Sequence, residues 1–228
     1  MMMDRNVVSA VLAEAQQIVL SLPEVDALCT RTARGAGYSW GISEECGQAM
    51  AWLASYGFDW APVLLRRLSG ERGGNVTPQP VAWTAEGPIC ALYCGSTLAD
   101  FAALPEGPGK TGVARGQIHD PLLALPFVAQ GAKKLGTAFD CYLNGTLWAH
   151  VAGQSVKCFK PELNTVALSR FELRPATQQS HSDQPSKANT TAVSMGDYEH
   201  LTKIALRMTV PATVASEARA GGTGSDNE

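Results

Sequence analysis

The sequence predicts an α+β protein, with a helical N-terminal part packed on a mainly antiparallel sheet region. Three observations carry that prediction. Through residues 5–70, apolar side chains recur at spacings of three and four, the period of a helix buried on one face. Asn144-Gly145, flanked by two apolar-rich runs, is the residue pair that a tight hairpin turn favours. Short apolar runs bounded by turn residues become evident in the second half of the chain.

Taken in order, residues 5–20 place Val8, Val11, Leu12, Ala15, Ile18 and Val19 on one helical stripe. Ser21-Leu22-Pro23-Glu24 then starts a second helix. Ser is a good N-cap, Glu three positions on completes a capping box, and Pro is tolerated in the first turn. Val25, Leu28, Cys29 and Thr32 form its inner face, and Gly35 or Gly37 ends it. A third helix is expected from about Ile42 to Tyr56, and a short fourth opens at Asp59 and stops at Gly70. Residues 69–80 are loop by composition.

Ile89 to Cys94 reads as a short buried strand, with Cys90 and Cys94 on the same side of it. His119-Asp120-Pro121 can start a helix running from Leu122 to Lys134 and closed by Gly136. The hairpin joins Ala138–Leu143 to Thr146–Val151. Its simplest register pairs Leu143 with Thr146, Cys141 with Trp148 and Phe139 with His150. Thr165 to Arg174 is a further strand. Residues 175–194 form a polar loop, and Gly196 to Met208 returns to helical spacing. The organisation that follows is an extension over 1–20, one α+β domain over 21–208 (helical 21–70, mixed 81–208) and a Gly-rich segment over 209–228.

Composition narrows the function. The chain is 45% apolar and 17% charged, enough to bury a core. Its 18 basic and 21 acidic residues leave a formal charge of −3, which argues against binding nucleic acid through clustered cations. No stretch suits a membrane span, and the first residues do not form a secretory leader. The six cysteines are then expected to be free thiols in a cytoplasmic protein. The four histidines show no metal spacing, so neither a metal nor a cofactor is expected.

Two segments hold candidate chemistry. The first is Arg34-Gly35-Ala36-Gly37-Tyr38-Ser39-Trp40-Gly41 with Glu44-Glu45, a loop leading into a helix N-terminus whose free N–H groups favour an anion. Arg34 can hold a carboxylate in a bidentate fork, Tyr38 and Trp40 supply walls, and Glu44 or Glu45 is a proton acceptor. The second is Val210-Pro211-Ala212-Thr213 with Ser216, Arg219, Gly221, Gly222, Gly224, Asp226 and Asn227, which can wrap an anion through backbone N–H groups. A plainer reading stands beside each. Gly ends a helix and Trp40 packs in the core, while the tail is simply a disordered terminus. In the hairpin, Cys141 and His150 lie diagonally near enough for a thiolate–imidazolium pair. The favoured reading is an apolar face with His150 at its edge.

These two segments together resemble a family of bacterial proteins catalogued as a domain of unknown function and common in alphaproteobacteria. The likeness runs from about Leu22 to the C-terminus. It implies an autonomous cytoplasmic domain, either an enzyme or an accessory protein, and it implies no reaction. The expectation is therefore a small-molecule enzyme or ligand-binding protein for an anionic metabolite, its pocket lying between the 34–45 loop and the 213–227 segment. The alternative is a non-catalytic accessory subunit that docks a partner enzyme.

Overall fold

A computed structural model describes residues 16–71, 73, 74, 76–79, 83, 87–108, 116–176 and 187–208. It is an α+β fold. Strand β1 (Gln17–Ser21) leads into helices α1 (Leu22–Gly35), α2 (Trp40–Ser55) and α3 (Trp60–Ser69). Next come β2 (Ile89–Cys90), α4 (Ala91–Asp100), β3 (Gly116–His119), a 3-10 turn (Pro121–Ala124) and α5 (Leu125–Leu135). Strands β4 (Ala138–Leu143), β5 (Thr146–Ala152), β6 (Ser155–Cys158), β7 (Leu168–Pro175) and β8 (Thr190–Ser194) precede α6 (Met195–Ala205). The main sheet has six strands in the order β2-β3-β7-β4-β5-β6, while β1 and β8 form a separate pair. Among the described strands β2 and β3 pair in parallel and the other strand pairings are antiparallel; Gly74 adds an isolated parallel bridge to Ile89.

The α1 start forms as its residues dictate. Ser21 Oγ accepts from the Glu24 N–H at 3.4 Å, and the Ser21 N–H donates to Glu24 Oε2 at 2.8 Å, a complete capping box. That cap needs extended backbone at Ser21 (φ −71°, ψ 158°). A helix arriving from residues 5–20 cannot run through it. Gln17–Ser21 is accordingly a strand paired with β8, not the end of a helix, and residues 5–15 lie outside the described residues.

α1 packs between α2 and α6. Thr32 Oγ1 donates to Leu201 O on α6 at 3.1 Å, and at Gly35 an added Cβ would overlap the Ile204 carbonyl oxygen. Gly35 is thus a close-approach glycine within the helix. The chain turns just beyond it, at Gly37, where φ is +87°.

The expected strand Ile89–Cys94 is corrected: only Ile89 and Cys90 are strand, and α4 begins at Ala91. A continuous apolar run fits either a buried strand or a buried helix. Tertiary packing decides it here, because the Phe127 ring of α5 fills the space where a Cβ at Gly95 would sit. The helix expected over Leu122–Lys134 begins instead as a 3-10 turn and becomes α-helical at Leu125, with Pro126 in its first turn and Gly136 left-handed at its end. Residues 190–194, expected as loop, are β8.

Asn144 (φ +49°) and Gly145 (φ +79°) make the expected tight turn. The register beyond it departs from the simple one. A bulge between Cys141 and Tyr142 leaves Trp148 out of the pairing, so that Cys141 faces Ala149 and Asp140 faces His150. Phe139, Cys141, Leu143, Trp148, Val151, Val156, Phe171 and Leu173 are all buried in the core. Replacing Gly35 with Ala is expected to destabilise the fold by about 1–3 kcal/mol through overpacking against α6. Gly41→Ala meets nothing within 4 Å; it is expected to be neutral or slightly stabilising, and urea titrations of both variants check this.

Candidate functional site

The Arg34–Trp40 loop divides into an outer and an inner part. On the outside, Arg34 Nη1 donates to the Tyr38 carbonyl at 2.6 Å, and the guanidinium carbon lies 5.4 Å from the centre of the Trp40 ring. Trp40 is exposed rather than a core residue, and its indole N–H donates to Glu44 Oε1 at 2.9 Å. Ser39 caps α2, its Oγ accepting from the Ile42 N–H. Glu45 is half-buried and its Oε2 has no hydrogen-bond partner. Burial, then the neighbouring Asp100 and Glu44 carboxylates, push its carboxyl above the usual range.

On the inside, Tyr38 is buried and its ring runs into the core. Its hydroxyl is 3.7 Å from Cys90 Sγ, its ring centre is 5.7 Å from that of Tyr93, and Arg67 is also a neighbour. Burial, reinforced by Cys90, raises the phenol well above its ordinary value, so it stays protonated and can donate.

Tyr38 thereby joins a buried polar cluster. α3 is amphipathic with Trp60, Val63, Leu64 and Arg67 along its inner side, so its helical period carries the Arg67 side chain into the interior, where it is 2% exposed. Its partner is Asp120. Arg66 Nε donates to Asp120 Oδ1 at 2.6 Å, and Arg67 Nη1 donates to Oδ2 at 3.5 Å. Asp120 sits at the end of β3 in left-handed backbone (φ +52°, ψ 59°), an unusual conformation for a residue with a side chain. Its N–H donates to Ala167 O at 2.8 Å, and its carbonyl accepts from the Leu123 N–H at 3.0 Å. Burial lifts its carboxyl, while Arg66, Arg67 and His119 pull the other way.

Among the described residues, these two guanidiniums share this one carboxylate. Arg66 Nη2 and Arg67 Nε are both buried without a hydrogen-bond partner. Cys90, at the end of β2, occupies the N-cap of α4 but provides no side-chain cap. The cluster therefore gathers at the C-terminal ends of the two parallel strands, beside the start of α4.

Among the expected site residues, Tyr38 is the one whose side chain enters this cluster; Arg34, Ser39, Trp40 and Glu44 lie on the outer side of the loop. Gly35 serves close packing and Gly37 a turn. Ser216, Arg219 and Asp226 lie outside the described residues, as does the rest of the 213–227 segment. Sequence reasoning missed Arg66, Arg67 and Cys90 as site residues and took Asp120 for an ordinary helix cap. A charged residue on the apolar stripe of α3 was the signal for Arg67. The Cys141–His150 pair does not form. Cys141 is a buried thiol whose pKa burial raises, and His150 Nδ1 lies 2.7 Å from Asp140 Oδ1. Among the described residues no group of His, Cys, Asp and Glu has the geometry to hold a metal ion, and no helix is long and apolar enough to cross a membrane.

Residues 20–112 match a family described as "Protein of unknown function (DUF3726)". That stretch includes Tyr38, Arg66, Arg67 and Cys90 and stops short of Asp120. No curated protein matches the chain by sequence. Among solved structures, malate dehydrogenase from Entamoeba histolytica aligns over 57% of this chain and 39% of that one, with 11% identity and a TM-score of 0.42. A likeness of that size bears on neither fold nor activity.

The Glu45 shift has a definite sign. A carboxyl raised in the folded state favours folding below its unfolded pKa, and this contribution is lost as pH rises through the folded value. Glu45→Gln is therefore expected to stabilise the protein near pH 7 and to make no difference in acid below the carboxylate range. Urea unfolding at several pH values checks this.

Proposed function

We propose that the protein binds a small carboxylate-bearing metabolite at the Tyr38–Arg66–Arg67–Asp120 cluster, with the Arg34–Trp40 loop as its rim. The observation carrying this reading is the pair of buried guanidinium nitrogens, Arg66 Nη2 and Arg67 Nε, that have no partner. A buried N–H donor without an acceptor is costly, more so on a charged group. A ligand carboxylate supplies the missing acceptors. Arg66, whose side chain is 37% exposed, connects the buried cluster to solvent. Tyr38 adds a hydroxyl donor, and the uncapped start of α4 adds oriented backbone N–H groups.

The same arrangement has the parts that acid–base chemistry on a bound carboxylate would need. Tyr38 is a protonated phenol and Asp120 a carboxylate held between two cations. Binding is the first thing to test. Thermal unfolding of the full chain with acetate, glycolate, malonate and succinate is expected to show stabilisation by at least one of them. A ligand at a hundred times its dissociation constant adds about 2.7 kcal/mol. Arg66→Ala, at the exposed end of the cluster, is expected to weaken that ligand about tenfold or more, the loss of a charged hydrogen bond. Arg34→Ala reads the contribution of the rim. If none of the four acids stabilises the chain, or if Arg66→Ala binds as wild type does, the cluster is not the site.

A further inference from the structure

Cys90 borders the buried cluster, and carboxylate binding leaves its thiol unused. It is the last residue of β2 and immediately precedes α4. Its Sγ lies 3.7 Å from the Tyr38 hydroxyl, and Arg67 acts on that same phenol through its charge and a hydrogen bond. One phenol therefore touches both a thiol and a guanidinium. The Arg67 side chain is 2% exposed, and its Nε has no partner.

Arg67 and Cys90 also lie under the same short glycine-bearing stretch. A Cβ at Gly70 would come 3.5 Å from Arg67 Nη2, and one at Gly73 would come 2.9 Å from the Cys90 nitrogen. The Gly74 carbonyl accepts the Cys90 N–H at 3.3 Å. Gly70 and Gly73 are exposed, so at these two points a single layer of backbone without side chains covers the cluster.

The other five cysteines have different surroundings. Burial pushes each of their thiols above the ordinary value, and the groups that act on them besides burial are other thiols, Asp26 and Asp140. A thiol held protonated is a poor nucleophile and packs as a small apolar group. Cys90 has instead a phenol against its sulfur, a guanidinium on that phenol and a helix that begins at the next residue. A guanidinium and a helix start both favour a thiolate.

We propose that Cys90 is a nucleophile and that the carboxylate bound at this cluster belongs to an α-keto acid. This rests on the carboxylate reading given above. The carboxylate takes the open nitrogens of Arg66 and Arg67, and the keto group, one bond further on, meets the Tyr38 hydroxyl and the Cys90 sulfur. Sγ bonds to the keto carbon as the C=O π bond breaks. Tyr38 gives its proton to the new hydroxyl oxygen and takes the thiol proton in return. The adduct is a thiohemiketal, formed by addition alone, with no oxidant, reductant or leaving group.

Two measurements on the full chain test this. In the first, pyruvate labelled with ¹³C at its keto carbon is added and followed by NMR. A new resonance is expected from a tetrahedral carbon bound to sulfur and oxygen, absent with Cys90→Ser and about tenfold weaker with Arg66→Ala. In the second, the wild-type protein is alkylated with iodoacetate or iodoacetamide at about pH 7.5, and the modified cysteines are mapped by peptide mass. Either reagent forms an S–C bond and releases iodide, but only iodoacetate carries a carboxylate. Iodoacetate is expected to modify Cys90 about tenfold faster than the equally buried Cys29, Cys46, Cys94 and Cys141, and pyruvate to slow that reaction. Iodoacetamide is expected to show no preference for Cys90 and to reach the half-buried Cys158 first. The proposal is overturned if pyruvate gives no tetrahedral signal, or if Cys90→Ser leaves that signal intact. It is overturned equally if iodoacetate favours Cys90 no more than iodoacetamide does. The carboxylate reading falls separately. If one of the four acids stabilises the chain and Arg66→Ala weakens it while Cys90 stays inert, the binding site remains and Cys90 is a packed core thiol.

Discussion

Arg67 cannot be accommodated in the interior without an anion, and that constraint shapes the centre of the molecule. The period of α3 takes its side chain inward with Trp60, Val63 and Leu64. A buried cation without a partner costs several kcal/mol, so Asp120 must stand opposite it. Asp120 reaches that position in a backbone conformation that a non-glycine residue rarely adopts, immediately before Pro121. The ion pair therefore ties the helical part to the end of β3 and to the entry of α5. Arg66 joins the same carboxylate from the solvent side. The result is a cluster in which two guanidiniums share one carboxylate among the described residues, set where β2 and β3 end.

Tyr38 connects this cluster to the surface loop. Its carbonyl is held by Arg34 on the outside, while its hydroxyl lies against Cys90 on the inside. Gly37 makes the turn that permits both, and Gly35 lets α1 sit tightly on α6 just before it. The glycines here are explained by backbone geometry and helix contact. The polar chemistry lies one layer below, on side chains from α3, β2 and the β3–α5 junction.

The main sheet separates two environments. Its inner face is apolar and continuous with the helices, and buries Phe139, Cys141, Trp148, Phe171 and Leu173. Its outer face alternates charge, with Arg170, Glu172, Arg174, Asp140 and His150 in adjoining strands. One bulge in the β4–β5 pair determines which residues meet there. With Trp148 excluded from the ladder, His150 shifts by one position and pairs with Asp140 instead of Phe139. A histidine expected at the edge of an apolar face becomes half of a carboxylate–imidazole pair.

Elements whose signals are local could be read from the residues alone. The Ser21–Glu24 capping box, the Gly136 helix end and the Asn144-Gly145 turn each follow from the chemistry of a few adjacent residues, and all three form. The α+β class was legible for the same reason, since helical and alternating periods are properties of short windows. The remaining elements were set by contacts between distant segments. Whether Ile89–Cys94 became strand or helix depended on Phe127, far along the chain. Whether Gln17–Ser21 became strand depended on β8. The cluster of Tyr38, Arg67, Cys90 and Asp120 draws on four separate segments, and nothing in the spacing of those residues announces that they meet. A side chain's burial and partners are set by distant packing, so local periodicity could direct Arg67 inward but could not name the anion waiting for it.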